Sequence, residues 1–381
     1  MTLVYLVAGE ESGDVLGARL MAALKAARPG LEFAGIGGPR MVAEGLAPLF
    51  PMHELAVMGL LEVLPRLGRL RRKLHDAVAD VRARRPDIVI TIDSPGFTVR
   101  LLKFLKNSGL RRVHYVAPQA WAWRESRVRG YPGLWDRLLC LLPFEPAFFA
   151  RHGLEARFVG HPVLESGAGD GDAARFRATH GIAPDAQVVI LMPGSRRSEV
   201  ARLLPVFAEA LALLAARFPN LVPVVPVASA VAETVLHAAA TWPARPIVVS
   251  SAQDKYDAFA AADAALTKSG TSTLELALAG VPMAVTYKVN PITGVIAKRL
   301  IKVKFIAIVN LLAGRAVVPE LLLGDCNPAR LAAEVVTLLA NPEAATAQRA
   351  AFREIIGSLR PPAGLPSEAA AREILALLGD S

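Results

Sequence analysis

Ser269-Gly270-Thr271-Ser272-Thr273-Leu274-Glu275 links a short apolar run, Ala262 to Thr267, to a helical run, Leu274 to Ala279, that stops at Gly280-Val281-Pro282. The pattern reads as strand, small-residue turn and helix. Such a turn presents free backbone N–H groups at the positive end of a helix dipole, and a diphosphate fits there. Ser269, Thr271 and Thr273 offer hydroxyl donors, and Gly270 keeps the turn open. Glu275, about one turn into the helix, points the same way and can accept from two vicinal ribose hydroxyls. The combination describes a nucleotide diphosphate held without a Walker lysine. An ordinary capped helix behind a serine-rich turn explains the same residues.

A second turn of this kind lies upstream. Met192-Pro193-Gly194-Ser195-Arg196-Arg197-Ser198-Glu199 follows the apolar run Val188–Met192. Gly194 and Ser195 make the turn tight, and Arg196 is placed to neutralise a departing diphosphate. Two such turns at strand ends of one sheet point to a nucleotide-diphosphate site more strongly than either does alone.

Working outward, apolar runs alternate with amphipathic helical runs along all 381 residues. Leu3–Ala8, Phe33–Ile36, Ile88–Ile92, Val113–Val116, Leu138–Leu142 and Ala156–Val159 are strands of a first half. Val188–Met192, Val222–Val227, Ile247–Val249, Ala264–Thr267 and Met283–Thr286 are strands of a second. Continuous apolar strands separated by helices imply parallel sheets covered on both faces, hence an α/β chain of two doubly wound domains facing a ligand cleft. The small, polar stretch 165–172 reads as the hinge. The domains are expected over 1–168 and 169–360, with a last helix in 365–381, after the Pro361-Pro362 break, joined to the first.

The hydrophobic share is 53% and the net charge +9. A basic surface suits phosphorylated ligands or an anionic membrane. With no arginine-rich tail or aromatic-basic motif, nucleic acid is not an expected partner. Cys140 and Cys326 stand far apart, which fits a reducing compartment and no metal site. The N-terminal apolar run is too short for a signal peptide, and no run reaches spanning length, so a cytoplasmic chain is expected.

In the first half, Gly9-Glu10-Glu11-Ser12-Gly13-Asp14 follows the first strand, ahead of a helix expected from about Val15 to Ala27. The glycine spacing is not a dinucleotide fingerprint, and a carboxylate-bearing loop suits a hydroxyl-rich ligand; helix capping by Ser12 or Asp14 is the plainer reading. Gly35-Ile36-Gly37-Gly38-Pro39-Arg40 offers amides and a guanidinium to a phosphate, or is a plain turn. Asp93, in Ile92-Asp93-Ser94-Pro95-Gly96-Phe97, ends a parallel strand where it can take a proton from an attacking hydroxyl, or cap the next helix. Between Met52 and Ala79, an apolar stretch with Leu60, Leu61 and Leu64 precedes Arg66, Arg69, Arg71, Arg72 and Lys73. That order suits a bilayer surface or acyl chains with a basic rim; a core helix followed by a solvated one is the alternative. Trp121 and Trp123 form a binding wall or pack on the next helix.

Taken together, AGEESGDVLGARL (8–20), GIGGPRM (35–41), MGLLEVLPRL (58–67), IDSPGF (92–97), YVAPQAWAWR (115–124), VGHP (159–162), MPGSRRSEV (192–200), SGTSTLELAL (269–278) and VNLLAGRAVVPELL (309–322) resemble the lipid-A-disaccharide synthases over nearly the whole length. The resemblance implies a GT-B glycosyltransferase with the donor nucleotide on the C-terminal domain. It implies transfer of 2,3-diacylglucosamine from its UDP derivative to 2,3-diacylglucosamine 1-phosphate (lipid X), giving a β-1,6 disaccharide 1-phosphate and UDP at the inner membrane. By the same resemblance Asp93 is the base and Glu11 positions the sugar or shares that role. Arg196, Ser195, Ser269, Gly270 and Thr271 hold the diphosphate, Glu275 holds the ribose, and Asn310 belongs to the active site. Gly37, Gly38, Arg40, Arg69 and Arg72 fall to the acceptor or membrane side. Helix dipole and arginine replace a cation, so no cofactor or metal is expected. The oligomeric state is left open, a homodimer included. UDP-N-acetylglucosamine 2-epimerases share the double-Rossmann frame and are the alternative, but the apolar stretch around Leu60 speaks against a soluble sugar.

Overall fold

A computed structural model of the chain describes residues 2–55, 67–123, 125–288 and 303–379. Leu60, Leu61 and Leu64 lie outside the described residues. The chain divides into two compact units, Met1–Pro162 with Leu359–Ser381, and Val163–Ser358.

The first unit carries strands β1 (Thr2–Ala8), β2 (Leu31–Ile36), β3 (Leu46–Pro48), β4 (Ile88–Ile92), β5 (Arg111–Tyr115), β6 (Arg137–Cys140) and β7 (Ala156–Phe158). Its helices are α1 (Glu11–Ala27), α2 (Pro39–Ala43), α3 (Leu67–Arg84), α4 (Pro95–Phe104), α5 (Ala120–Trp123) and α6 (Glu145–Ala150). All pairings are parallel, in the order β3-β2-β1-β4-β5-β6-β7. The two-residue period of a strand sorts its side chains onto two covered faces. Val4, Leu6, Ile88, Ile90 and Ile92 meet Leu16, Leu20 and Leu24 of α1 on one face. Tyr5, Val7 and Val89 meet Leu74, Val78 and Val81 of α3 and Phe97 and Leu101 of α4 on the other. Apolar runs without alternation follow directly from this double burial.

The second unit repeats the plan with β8 (Gln187–Met192), β9 (Leu221–Pro226), β10 (Ile247–Val249), β11 (Ala264–Lys268), β12 (Met283–Tyr287) and β13 (Glu320–Leu322). Its helices are α7 (Ala173–His180), α8 (Arg197–Arg217), α9 (Ala232–Ala239), α10 (Ala252–Ala261), α11 (Ser272–Leu278), α12 (Ile308–Ala313), α13 (Pro328–Ala340) and α14 (Pro342–Ser358). The parallel order is β10-β9-β8-β11-β12-β13. In each sheet the winding reverses once, between β1 and β4 and between β8 and β11. Ligands of such folds bind beyond the carboxyl ends of the strands at that reversal.

Three local features differ from the sequence reading. Helix α1 starts at Glu11 rather than near Val15, with the Asp14 amide donating to the Glu10 carbonyl at 3.0 Å, so the acidic stretch is a first helical turn and not a loop. The polar stretch 165–172 follows the division between the units and is fastened to α10. There the Asp257 carboxylate accepts from the Asp172 amide at 2.7 Å and from the Arg175 guanidinium at 2.6 Å, while Asp172 caps α7. The three-residue edge strands β3 and β13 were not anticipated; each buries a single leucine, Leu46 or Leu321, which is too short a pattern to read.

The final helix, α15 (Pro366–Leu378), lies in the first unit against α1. Ala369, Ala370, Ala371 and Ile374 enter the same cluster as Leu16 and Leu20. Arg137 of β6 holds Glu373 at 2.6 Å, and Arg111 of β5 donates to the Leu378 carbonyl at 3.0 Å.

Candidate functional site

In the first unit the reversal point joins the loops after β1 and β4. Asp93 and Ser94 both adopt left-handed backbone, φ 48° and 45°, and Val116 after β5 does the same at 75°. A β-branched residue in that region is costly, and such strain gathers at functional sites. The conformation is locked by neighbours. The Asp93 amide donates to the Tyr115 carbonyl at 2.9 Å, and the Thr98 hydroxyl donates to the Asp93 carbonyl at 2.7 Å. Gly9 admits Ser94 closely, since a Cβ on Gly9 would lie 2.8 Å from the Ser94 hydroxyl. No side chain caps α4, so Asp93 is not its cap. The Asp93 carboxyl is pushed above the usual carboxylate range, first by burial and then by the Glu10 carboxylate; the Ser94 amide opposes the shift. A carboxyl so placed is a stronger proton acceptor than an ordinary surface aspartate. Glu11 is exposed on the first turn of α1.

Asp14 has a structural task that corrects the reading of the glycine turn. Its buried carboxylate accepts from the amides of Gly38 (2.9 Å), Arg40 (3.1 Å) and Met41 (3.0 Å). Pro39 has no N–H, so these are all the free donors that open α2. The amides of Gly38 and Arg40 are therefore already satisfied by a carboxylate and are not open to a phosphate. Gly38 is required there, because a Cβ would meet the Asp14 carboxylate at 2.6 Å, and Gly37 is buried against Met41 and Leu46. The Arg40 side chain is exposed and remains available.

Helix α3 buries Leu74, Ala77, Val78 and Val81 and exposes Arg69, Arg71 and Arg72. It is thus an amphipathic helix with a core face and a basic face. Trp121 is packing rather than an open wall. Its ring N–H donates to Glu145 at 3.0 Å and its face meets Phe144 edge-on at 5.0 Å. Glu145 is buried, and burial pushes it up to about 7 against the N–H groups of Leu142, Trp121 and Leu141 that it accepts.

In the second unit β8 and β11 are adjacent, Met192 pairing with Thr267, so the turns after both strands stand side by side. Gly194 has φ 111°, a value that side chains rarely adopt, and a Cβ there would also lie 2.7 Å from a Glu199 carboxylate oxygen. Ser195 and Arg196 are exposed. Glu199, buried in the first turn of α8, accepts from Arg196 at 3.4 Å and from Lys268 at 3.0 Å. At the Ser269 turn the expected donors divide. The Ser269 hydroxyl donates to the Ile306 carbonyl at 3.1 Å and the Thr273 hydroxyl to the Gly270 carbonyl at 2.7 Å, so neither is offered to a ligand. Among the described residues the amides of Gly270, Thr271 and Ser272 donate to nothing, and Thr271 is exposed. Glu275 is held by Lys255 at 2.7 Å and by the Tyr256 hydroxyl at 3.2 Å, which fixes its carboxylate for a further acceptor role.

Asn310 is buried and its amide is saturated. Its N–H groups go to the Val318 carbonyl and Glu320, both at 2.9 Å, and its oxygen accepts from Val317 (2.7 Å) and Val318 (2.9 Å). Glu320 also accepts from the amides of Ile306 and Ala307. Asn310 is therefore an organiser of the segment that Ser269 clasps, and not a group presented to a reacting atom. Lys268 and the role of Glu199 were missed from sequence. The available signal was a lysine directly before the Ser269 turn and a glutamate in the first turn after Gly194.

A family model described as lipid-A-disaccharide synthetase matches residues 4–374. The chain is 60% identical over 378 residues to the lipid-A-disaccharide synthase of Gluconobacter oxydans, covering 99% of this chain and 91% of that protein. It is 58% identical over 388 residues to that of Granulibacter bethesdensis, covering 99% of each. Among solved structures, the UDP-GlcNAc 2-epimerase of Neisseria meningitidis bound to UDP-GlcNAc superposes with TM-score 0.64 at 12% identity, covering 99% of both chains. The spinosyn rhamnosyltransferase SpnG with thymidine diphosphate gives TM-score 0.61 at 14% identity, covering 99% of this chain and 100% of that one. Identities this low speak for the shared two-domain fold alone.

Proposed function

The chain belongs to the lipid-A-disaccharide synthase family, a glycosyltransferase family of lipid A biosynthesis, and from that premise we propose how its residues carry out the transfer. The donor is UDP-2,3-diacylglucosamine and the acceptor is 2,3-diacylglucosamine 1-phosphate. Asp93 removes the proton from the acceptor 6-hydroxyl as its oxygen attacks the anomeric carbon. The bond from that carbon to the diphosphate oxygen breaks with inversion, and UDP leaves. The open amides of Gly270, Thr271 and Ser272, with Arg196 and Ser195, receive the charge on the diphosphate. Glu275 accepts from the ribose hydroxyls, and Glu11 orients the acceptor sugar. Fixed amides and a guanidinium supply the positive charge, so the reaction runs without a metal. The observation that carries this reading is the pair of adjacent turns at the β8–β11 reversal, one with free amides and one with arginine. The epimerase alternative rests on fold alone and is the weaker reading.

The test is to incubate the purified protein with both acylated sugars in detergent and EDTA, and follow UDP release and the lipid mass. A tetraacyl disaccharide 1-phosphate is expected. Epimerisation of UDP-N-acetylglucosamine without acceptor, and no disaccharide even with magnesium, would reverse the assignment.

The same reading places the protein peripherally on the cytoplasmic face of the inner membrane. Among the described residues no helix is long and apolar enough to cross a membrane, while α3 exposes Arg69, Arg71 and Arg72. Each surface cation near an anionic bilayer contributes about 1 kcal/mol. The double charge reversal Arg69→Glu with Arg72→Glu is expected to weaken sedimentation with phosphatidylglycerol vesicles by about tenfold or more. Unchanged binding in the folded variant would take α3 out of the membrane contact.

A further inference from the structure

Resting on the donor site proposed above, we propose that Lys268 is a diphosphate ligand of that site, and that Glu199 is the residue that positions it. The two turns at the β8–β11 reversal are joined by an ionic knot. The Glu199 carboxylate lies 3.0 Å from the Lys268 ammonium and 3.4 Å from the Arg196 guanidinium. Glu199 and Lys268 are largely buried, with side-chain exposures of 11% and 17%, whereas Arg196 is 62% exposed. Lys268 ends β11 and leads into the Ser269 turn. Its ammonium comes back over that turn, 3.8 Å from where a Cβ on Gly270 would stand, and lies 5.4 Å from the centre of the Tyr287 ring. A lysine ammonium has three N–H donors. One is used by Glu199; no other described residue takes the remaining ones.

The chemistry of the knot favours a ligand role over a simple ion pair. One carboxylate stands between two cations, so the group keeps a net positive charge of one, with the Lys268 ammonium beside Gly270 in the turn that carries the open amides. Those amides carry no full charge, and the Arg196 side chain is exposed, held only by its 3.4 Å contact with Glu199 among the described residues. A fixed ammonium beside them stabilises the additional negative charge that a departing diphosphate gains as the glycosidic bond breaks. Glu199 is needed because a lysine stem is flexible; the carboxylate holds the ammonium beside the turn. Gly194 completes the device, since any side chain there would displace Glu199.

The test compares UDP with uridine as probes, read by calorimetry or by competition, in the full chain. Lys268→Met is expected to weaken UDP about 10- to 100-fold with uridine unchanged, and Lys268→Arg to stay within a few-fold of the parent. Glu199→Gln is expected to lower kcat with a smaller change in UDP affinity, because the ammonium remains but is no longer held. If Lys268→Met fails to fold with Glu199 left uncompensated, the neutral pair Lys268→Met with Glu199→Gln decides by the same UDP-to-uridine ratio. A parental ratio in Lys268→Met, alone or paired with Glu199→Gln, would reduce Lys268 to a counter-ion of Glu199 and overturn the proposal while leaving the donor site intact. No UDP binding by the unmodified protein would instead overturn the donor site itself.

Discussion

Asp93→Asn is expected to lower kcat/KM for the glycosyl transfer by about 100- to 10,000-fold, the usual range for loss of a general base, with UDP affinity unchanged. Asparagine is the informative replacement. It matches the carboxylate in shape, it tolerates the left-handed backbone at φ 48°, and it retains an oxygen for the Ser94 amide. Alanine would add backbone strain and confound loss of the base with a shift of the loop. Since UDP is proposed to bind the second unit, its affinity serves as an internal control. Parental turnover in a folded Asp93→Asn protein would remove Asp93 as the base.

The pH profile offers an independent reading of the same residue. A base must be deprotonated, so activity falls as pH drops through its pKa. Burial raises that pKa first and Glu10 raises it further, so the acid limb of kcat/KM is expected above the ordinary aspartate range. Glu10→Gln removes the like charge and is expected to move the limb to lower pH. A limb that stays in place would show that Glu10 does not act on the titrating group.

Much of this architecture is legible in the chain because double burial leaves a strong trace. Ile88–Ile92 is buried residue for residue, and no polar alternation competes with that signal. The edge strands β3 and β13 leave no such trace: each buries one leucine, and β3 ends on a proline. At the sites, residue type identified the turns but not the direction of hydrogen bonds. Ser269 and Thr271 look alike in sequence, yet one hydroxyl is spent on Ile306 and the other is exposed. Asn310 sits in a recognisable motif, but its four contacts are with residues seven to ten positions away, and only coordinates reveal that they use up the whole amide. Lys268 carries no phosphate-turn signal in the sequence, because it arrives from the strand before the turn and not from within the loop.

Asp14 gives the largest expected loss of stability. Asp14→Ala strands the amides of Gly38, Arg40 and Met41 inside the first unit. A buried donor left without a partner costs roughly 1–3 kcal/mol, and water entering the space offsets part of the sum, so a loss of about 3–5 kcal/mol is expected, among the large effects for a point substitution. Asp14→Asn should fall between. One carboxylate oxygen serves Gly38 and Met41 and the other serves Arg40. The asparagine oxygen can keep the first pair, while its NH2 group faces the Arg40 N–H donor to donor. The expected order of stability is therefore Asp, Asn, Ala, with the largest change in hydrogen-exchange protection at the Arg40 amide in the asparagine protein and at all of these amides in the alanine protein. Asp14→Ala with parental denaturation midpoint and parental protection at Gly38, Arg40 and Met41 would mean that α2 does not depend on this carboxylate. A cap borrowed from a different helix also explains the glycines of that turn: Gly38 has no side chain because the carboxylate of Asp14 already occupies the place where one would go.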